Sequence, residues 1–141
     1  AYKEYAAQIL KNAKHLAAYL MERGAKLVTN GTDNHLMVID CMKSWNVSGK
    51  EVDEAIDRVG ITASKSTIPD DPLPPYKPSG LRIGTPAITT RGMKEKDMET
   101  LGGFMLKAIE SRNDEQALRT LHEEVKSFCT KFPVPSITQS V

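Results

Sequence analysis

Ser79-Gly80-Leu81-Arg82-Ile83-Gly84-Thr85-Pro86-Ala87, continued by Ile88-Thr89-Thr90-Arg91-Gly92, sets one arginine between two apolar residues and brackets the three with glycines. On an extended chain successive side chains point to opposite faces, so Leu81 and Ile83 enter a core while Arg82 points away from it. Gly80 and Gly84 carry no Cβ, which lets a ligand or another chain segment approach the backbone on either side of the arginine. A planar guanidinium can grip a carboxylate through two parallel charge-assisted bonds, each worth about 1.5–3 kcal/mol net, where a lysine offers only a point charge. The alternative, on spacing alone, is a solvated arginine on an edge strand.

Upstream of this strand the chain alternates between helical and extended patterns. Ala6, Ile9, Leu10, Ala13, Leu16, Ala17 and Leu20 recur at three- and four-residue spacing and mark an amphipathic helix that ends at Arg23, with Gly24 as its left-handed cap. No Ser, Thr, Asp or Asn precedes its first apolar position, so the expectation is a helix with a longer N-terminal context. Leu27-Val28 and Leu36-Met37-Val38-Ile39 read as strands, the second as a run buried on both faces, with a turn over residues 29–34 between them. Ser48-Gly49-Lys50-Glu51 has the form of a capping box, and Val52, Ala55, Ile56 and Val59 continue a stripe closed by Gly60. Ile61-Thr62-Ala63-Ser64 suggests a further strand. Between it and Leu81, prolines 69, 72, 74, 75 and 78 forbid helix and central strand and predict a stiff loop.

Downstream, Met98, Leu101, Met105, Ala108 and Ile109 form one helical stripe, and Leu118, Leu121, Val125 and Phe128 form a second that starts near Asn113-Asp114. Gly102-Gly103 costs the first of these helices about 1 kcal/mol per glycine against alanine, which points to a neighbour packed closely there. Pro133 and Pro135 stop the last helix ahead of a tail at 136–141. The order predicts an α+β fold, a small, mostly antiparallel sheet with helices packed on one face.

The chain has 141 residues, enough for one domain that buries about 68% of its unfolded surface. Nineteen basic residues against eighteen acidic ones give a net charge of +1, which offers no electrostatic case for nucleic acid or an acidic membrane. No apolar run approaches the roughly 18 residues of a membrane span, and the first helix carries Lys3, Glu4, Lys11 and Lys14, unlike a signal peptide. Cys41 and Cys129 lie far apart within apolar patterns, as expected of reduced core thiols in a cytoplasmic protein. They and the three dispersed histidines make no metal site.

The stretch from Ser79 to Gly92 resembles the S-G-x-R-I-G-T-P-A-x-T-T-R-G signature of the serine hydroxymethyltransferase family. Gly31-Thr32-Asp33-Asn34-His35-Leu36 resembles the family's G-G-T-D-N-H-L segment, and Gly49-Lys50-Glu51 with Gly60-Ile61-Thr62 resembles its G-K-E and x-I-T-x-N-K pieces. The resemblance covers the family's C-terminal third. It implies that residues 1–135 are the C-terminal small domain, beginning in the interdomain helix, of an enzyme that interconverts serine and glycine with pyridoxal 5'-phosphate and tetrahydrofolate. It further implies a homodimer at least, a large domain of the same enzyme as partner, and glycine or serine as ligand.

By resemblance Arg82 is the arginine that binds the substrate carboxylate. The proline loop corresponds to one that approaches folate, with Ser66, Pro74, Pro75 and Tyr76 at the matching positions. Ser66 stands where the family has an asparagine, and Pro74 where it has a serine. His35 and Arg91 are expected to act structurally near the site, Arg91 by organising the arginine segment. Nothing resembles the family's Schiff-base lysine segment, so no catalytic residue is expected here and the chain alone should not turn over serine. Two other readings stay open: the small domain of another fold-type-I pyridoxal-phosphate enzyme, and an interaction module whose Pro72-Leu73-Pro74-Pro75 or Pro75-Tyr76-Lys77-Pro78 serves as a polyproline-II ligand.

Overall fold

A computed structural model describes residues 2–28, 36–84 and 92–132. The expected turn over 29–34, His35, Arg91, Pro133, Pro135 and the tail lie outside the described residues. Helix α1 (Tyr2–Glu22) buries Ala13, Leu16, Ala17 and Leu20 along the predicted stripe. It ends as expected: Gly24 has φ +102°, and the N–H groups of Gly24 and Ala25 turn back to the carbonyls of Met21 and Leu20.

Strand β1 (Leu36–Asp40) runs directly into a five-residue helix α2 (Cys41–Trp45), which the sequence pattern is too short to reveal. Asp40 makes the switch by accepting the N–H of Lys43 on its carboxylate at 3.0 Å, and Asn46 closes the turn in the left-handed region at φ 56°. Leu27-Val28 was expected as a strand, and here the structure differs. The segment meets β1 through the Leu27–Ile39 bridge, with Val28 N–H on Val38 O and Asp40 N–H on Lys26 O. That is enough to cover the edge of β1 and too little for a regular strand.

Helix α3 (Gly49–Arg58) carries the full capping box: Ser48 Oγ accepts the Glu51 N–H at 3.1 Å, and the Glu51 carboxylate takes the Ser48 N–H. Gly60 at φ +89° ends it, and Ile61 N–H bonds back to Ile56 O. This bond explains why the next strand, β2 (Ser64–Ser66), starts later than Ile61: the expected first residue is still committed to the helix terminus. Strand β3 (Gly80–Gly84) lies between β1 and β2 and pairs antiparallel with both. Helices α4 (Glu95–Glu110) and α5 (Glu115–Cys129) follow, the second capped by Asp114 through the Ala117 N–H.

One face of the sheet, with Met37, Ile39, Leu81 and Ile83, joins Leu16, Leu20, Val52, Ile56, Met98, Met105 and Leu118 in a single apolar core. At the α1–α4 crossing, a Cβ on Gly102 would stand 2.7 Å from Tyr19 Cδ1 and 3.3 Å from Leu16 Cδ1, so close packing accounts for the expensive glycine. The fold is the expected α+β arrangement, three antiparallel strands with the helices on one face.

Candidate substrate-binding site

Arg82 occupies the middle of the middle strand, which excludes the edge-strand alternative. Its neighbours in sequence, Leu81 and Ile83, are 0% and 3% exposed, while Arg82 itself is exposed on the opposite face. Across the strands it faces Val38 on β1 and Ser64 on β2. Val38 is half-buried, so β1 is covered on this face less than its apolar run suggests. Three of the other four described arginines are engaged, Arg58 with Glu115, Arg112 with Ile109 O, and Arg23 over the Tyr19 ring at 3.6 Å, while Arg119 lies exposed on α5. Arg82 makes no ion pair with a described residue. Two buried aliphatic side chains, Leu81 and Ile83, thus hold the backbone while the guanidinium stays available, an arrangement that can receive a carboxylate.

Of the glycines that flank it, Gly80 is closely packed. At Gly80 a Cβ would stand 2.5 Å from Ser66 O and 2.7 Å from Ile68 Cγ2, so the chain itself fills that space, and no ligand does. The backbone of Gly80 is also approached from the other side, where a Cβ on Gly49 would collide with its carbonyl and Gly49 N–H donates to Pro78 O at 2.8 Å.

Ser66 pairs with Gly80 and therefore lies on the same face as Arg82, one alternation further along; it is half-buried and its hydroxyl donates to Thr67 O at 3.2 Å. Pro74, Pro75 and Tyr76 form an exposed crown, with Tyr76 76% exposed. A turn from Lys77 N–H to Pro74 O at 2.9 Å closes that crown. Such a turn is incompatible with an extended polyproline-II run through residues 74–77, so the geometry does not favour the interaction-module reading. His35 and Arg91 lie outside the described residues.

The pattern of residues in order does not reveal Ser64 or Asp71. Ser64 became the cross-strand neighbour of Arg82 only through the register of β2, which starts later than its apolar residues suggest. Asp71 holds the proline loop, and the signal for it was the Asp-Asp pair between Pro69 and Pro72, a common turn former.

The remaining chemistry is quiet. Cys41 is fully buried, and burial first, with Asp40 second, pushes its thiol up to about 12, so it is no nucleophile. Among the described residues no group of three or more His, Cys, Asp or Glu is placed to hold a metal. All thirteen lysines are described; Lys50 is half-buried and the others are exposed. An imine-forming lysine is ordinarily set in a desolvated pocket, so these residues do not fit the anchoring of pyridoxal phosphate. A cleft of about 340 Å³ between α3 and α5, lined by Glu51, Glu54, Arg58 and Arg112, lies on other elements than the Arg82 strand.

Comparison with known proteins supplies the context of this geometry. The family model for serine hydroxymethyltransferase matches residues 1–105. A curated relative from Rippkaea orientalis (strain PCC 8801 / RF-1), named Serine hydroxymethyltransferase, is 46% identical over 133 residues, covering 94% of this chain. The chain spans 31% of that relative's length.

Proposed function

The chain belongs to the serine hydroxymethyltransferase family, and on that premise we propose that it is the C-terminal small domain of an enzyme that interconverts serine and glycine by one-carbon exchange with tetrahydrofolate. The observation that carries the proposal is Arg82, exposed at the centre of an antiparallel sheet and unpaired among the described residues. Bound pyridoxal phosphate would supply the electron sink for bond breaking at the amino acid's Cα. The lysines here do not fit its attachment, so that attachment belongs to a large domain outside this chain.

Each residue of this chain then has a task of binding or orientation. Arg82 takes the α-carboxylate of glycine or serine through two parallel N–H···O bonds, and in doing so fixes the orientation of the bonds at Cα. Ser66, on the same face, and the crown of Pro74, Pro75 and Tyr76 form the folate-side wall, with the Tyr76 ring as its flat apolar surface. Arg91 and His35, both outside the described residues, are assigned structural tasks near the site by resemblance. A homodimer in the cytoplasm is the assembly and location that fit this reading.

The experiment is a pair of measurements on the full-length enzyme carrying Arg82→Lys. Glycine affinity should fall by about tenfold or more, since a two-point grip becomes a single charge, and serine turnover should fall with it. Glycine affinity equal to that of the parent would refute the assignment. The 141-residue chain by itself is expected to show no serine turnover.

A further inference from the structure

Asp71 has no part in the function described so far, yet its carboxylate is densely bonded. It accepts four hydrogen bonds: Ser79 Oγ at 2.6 Å, Leu73 N–H at 2.8 Å, Ser79 N–H at 3.0 Å and Ile68 N–H at 3.3 Å. Ile68 opens the proline loop and Ser79 closes it, so one carboxylate ties both ends together. Ser79 is fully buried, and its donors would otherwise be stranded. Burial opposes the charge on Asp71, but the Ser79 hydroxyl and the three N–H groups outweigh it and hold the carboxyl at about 2.

The position of this knot matters more than its strength. Ser79 immediately precedes Gly80, and Ile68 Cγ2 lies over Gly80 on the face that also presents Arg82. The loop is therefore tied to the sheet at the edge of the arginine's surface, and its far side is steadied by Lys77 Nζ at 3.9 Å from Glu51. Arg82, by contrast, is set by Leu81 and Ile83 and receives nothing from Asp71.

We propose that Asp71 is a positioning residue for the co-substrate: by clasping Ile68, Leu73 and Ser79 it fixes the loop as a wall beside Arg82, so that tetrahydrofolate recognition depends on it and amino-acid carboxylate recognition does not. This rests on the folate-side reading of the loop given above.

The test measures two constants in the full-length holoenzyme, the KM for tetrahydrofolate and the glycine dissociation constant, for Asp71→Asn, Ser79→Ala and Tyr76→Ala. Asparagine keeps the shape of Asp71 but loses the charge and turns one acceptor into a donor facing donors. The folate KM should then rise about tenfold while the glycine constant stays within about twofold. Ser79→Ala removes a single donor and should move the folate KM in the same direction by less. An unchanged folate KM in Asp71→Asn overturns the clasp, and so does an equal loss in both constants, which a general weakening of the fold would give. If Asp71→Asn does not fold, Ser79→Ala decides: a selective rise supports the clasp and no rise overturns it. Tyr76→Ala separates the clasp from the reading beneath it. A folate effect there without one at Asp71 refutes only the clasp, whereas no folate effect in any variant refutes the folate-side loop as well.

Discussion

The strand that carries Arg82 and the proline loop that leads into it end on neighbouring residues, Gly80 and Ser79, but they are held by opposite means. The strand is fixed by apolar burial on one side and by ladders to two partners on its edges. The loop has no ladder; three of its backbone N–H groups, those of Ile68, Leu73 and Ser79, converge on the carboxylate of Asp71. Burial of Leu81 is spread over many contacts, so no single polar change nearby displaces Arg82. The loop draws its two ends together through one group, so one substitution there can loosen it.

The difference can be broken most forcefully from the strand side. Leu81→Ala removes a fully buried side chain beside the arginine and should cost about 2–5 kcal/mol, read as a lower urea midpoint of the chain. A smaller loss would mean that the strand is held by its ladders rather than by burial. Next comes the junction of the two regions. Gly49→Ala drives a Cβ into the Gly80 carbonyl, a backbone atom that cannot swing aside, and should cost about 1–3 kcal/mol by the same assay.

On the loop side, Asp71→Ala leaves the buried Ser79 donors without an acceptor and should cost about 1–3 kcal/mol. Amide exchange sharpens the comparison here: the Leu73 and Ser79 amides should exchange faster while the amide of Leu81 does not change. Equal acceleration at all three would show that strand and loop are one unit. Acid gives a gentler version. The Asp71 carboxyl titrates at about 2 in the folded chain against an ordinary 3.8, so folding favours its ionised form. The stabilisation it gives is present above about pH 3.8 and disappears as the pH falls through about 2. Protection of the Leu73 and Ser79 amides should follow that course, and Asp71→Asn should abolish the pH dependence. The smallest effect is expected at the crown, where Tyr76→Ala should change stability by no more than about 0.5 kcal/mol because the ring is solvated in the free chain.

The same contrast explains how much could be read from the residues in order. The alternation of Leu81, Arg82 and Ile83 is a local pattern with a period of two, and the structure obeys it. The Ser48–Glu51 box, the Gly24 cap and the packing demand of Gly102 are local or nearly local signals as well, and all three are met. What was not legible depends on distant pairing. Placing β3 in the middle of the sheet needs both partners, and the neighbourhood of Ser64 and Arg82 follows from a register that Ile61 helps to set by staying bonded to Ile56. The Asp71 knot joins residues separated by a proline-rich loop, so no short window contains it. Helix α2 is too brief for its periodicity to register before Asp40 caps it. The outward orientation of Arg82 was legible because its own neighbours set it, whereas Ser66 and Tyr76 were placed by family resemblance.

The claim on which all of this depends is that Arg82 recognises a carboxylate, and the most direct measurement compares glycine with glycinamide, which lacks that charge, as ligands of the full-length holoenzyme and its Arg82→Ala variant. The parent enzyme should bind glycine at least about tenfold more tightly than the amide, the worth of one charge-assisted bond, and the variant should bind the two alike. A preference for glycine that survives the loss of Arg82 would contradict the account.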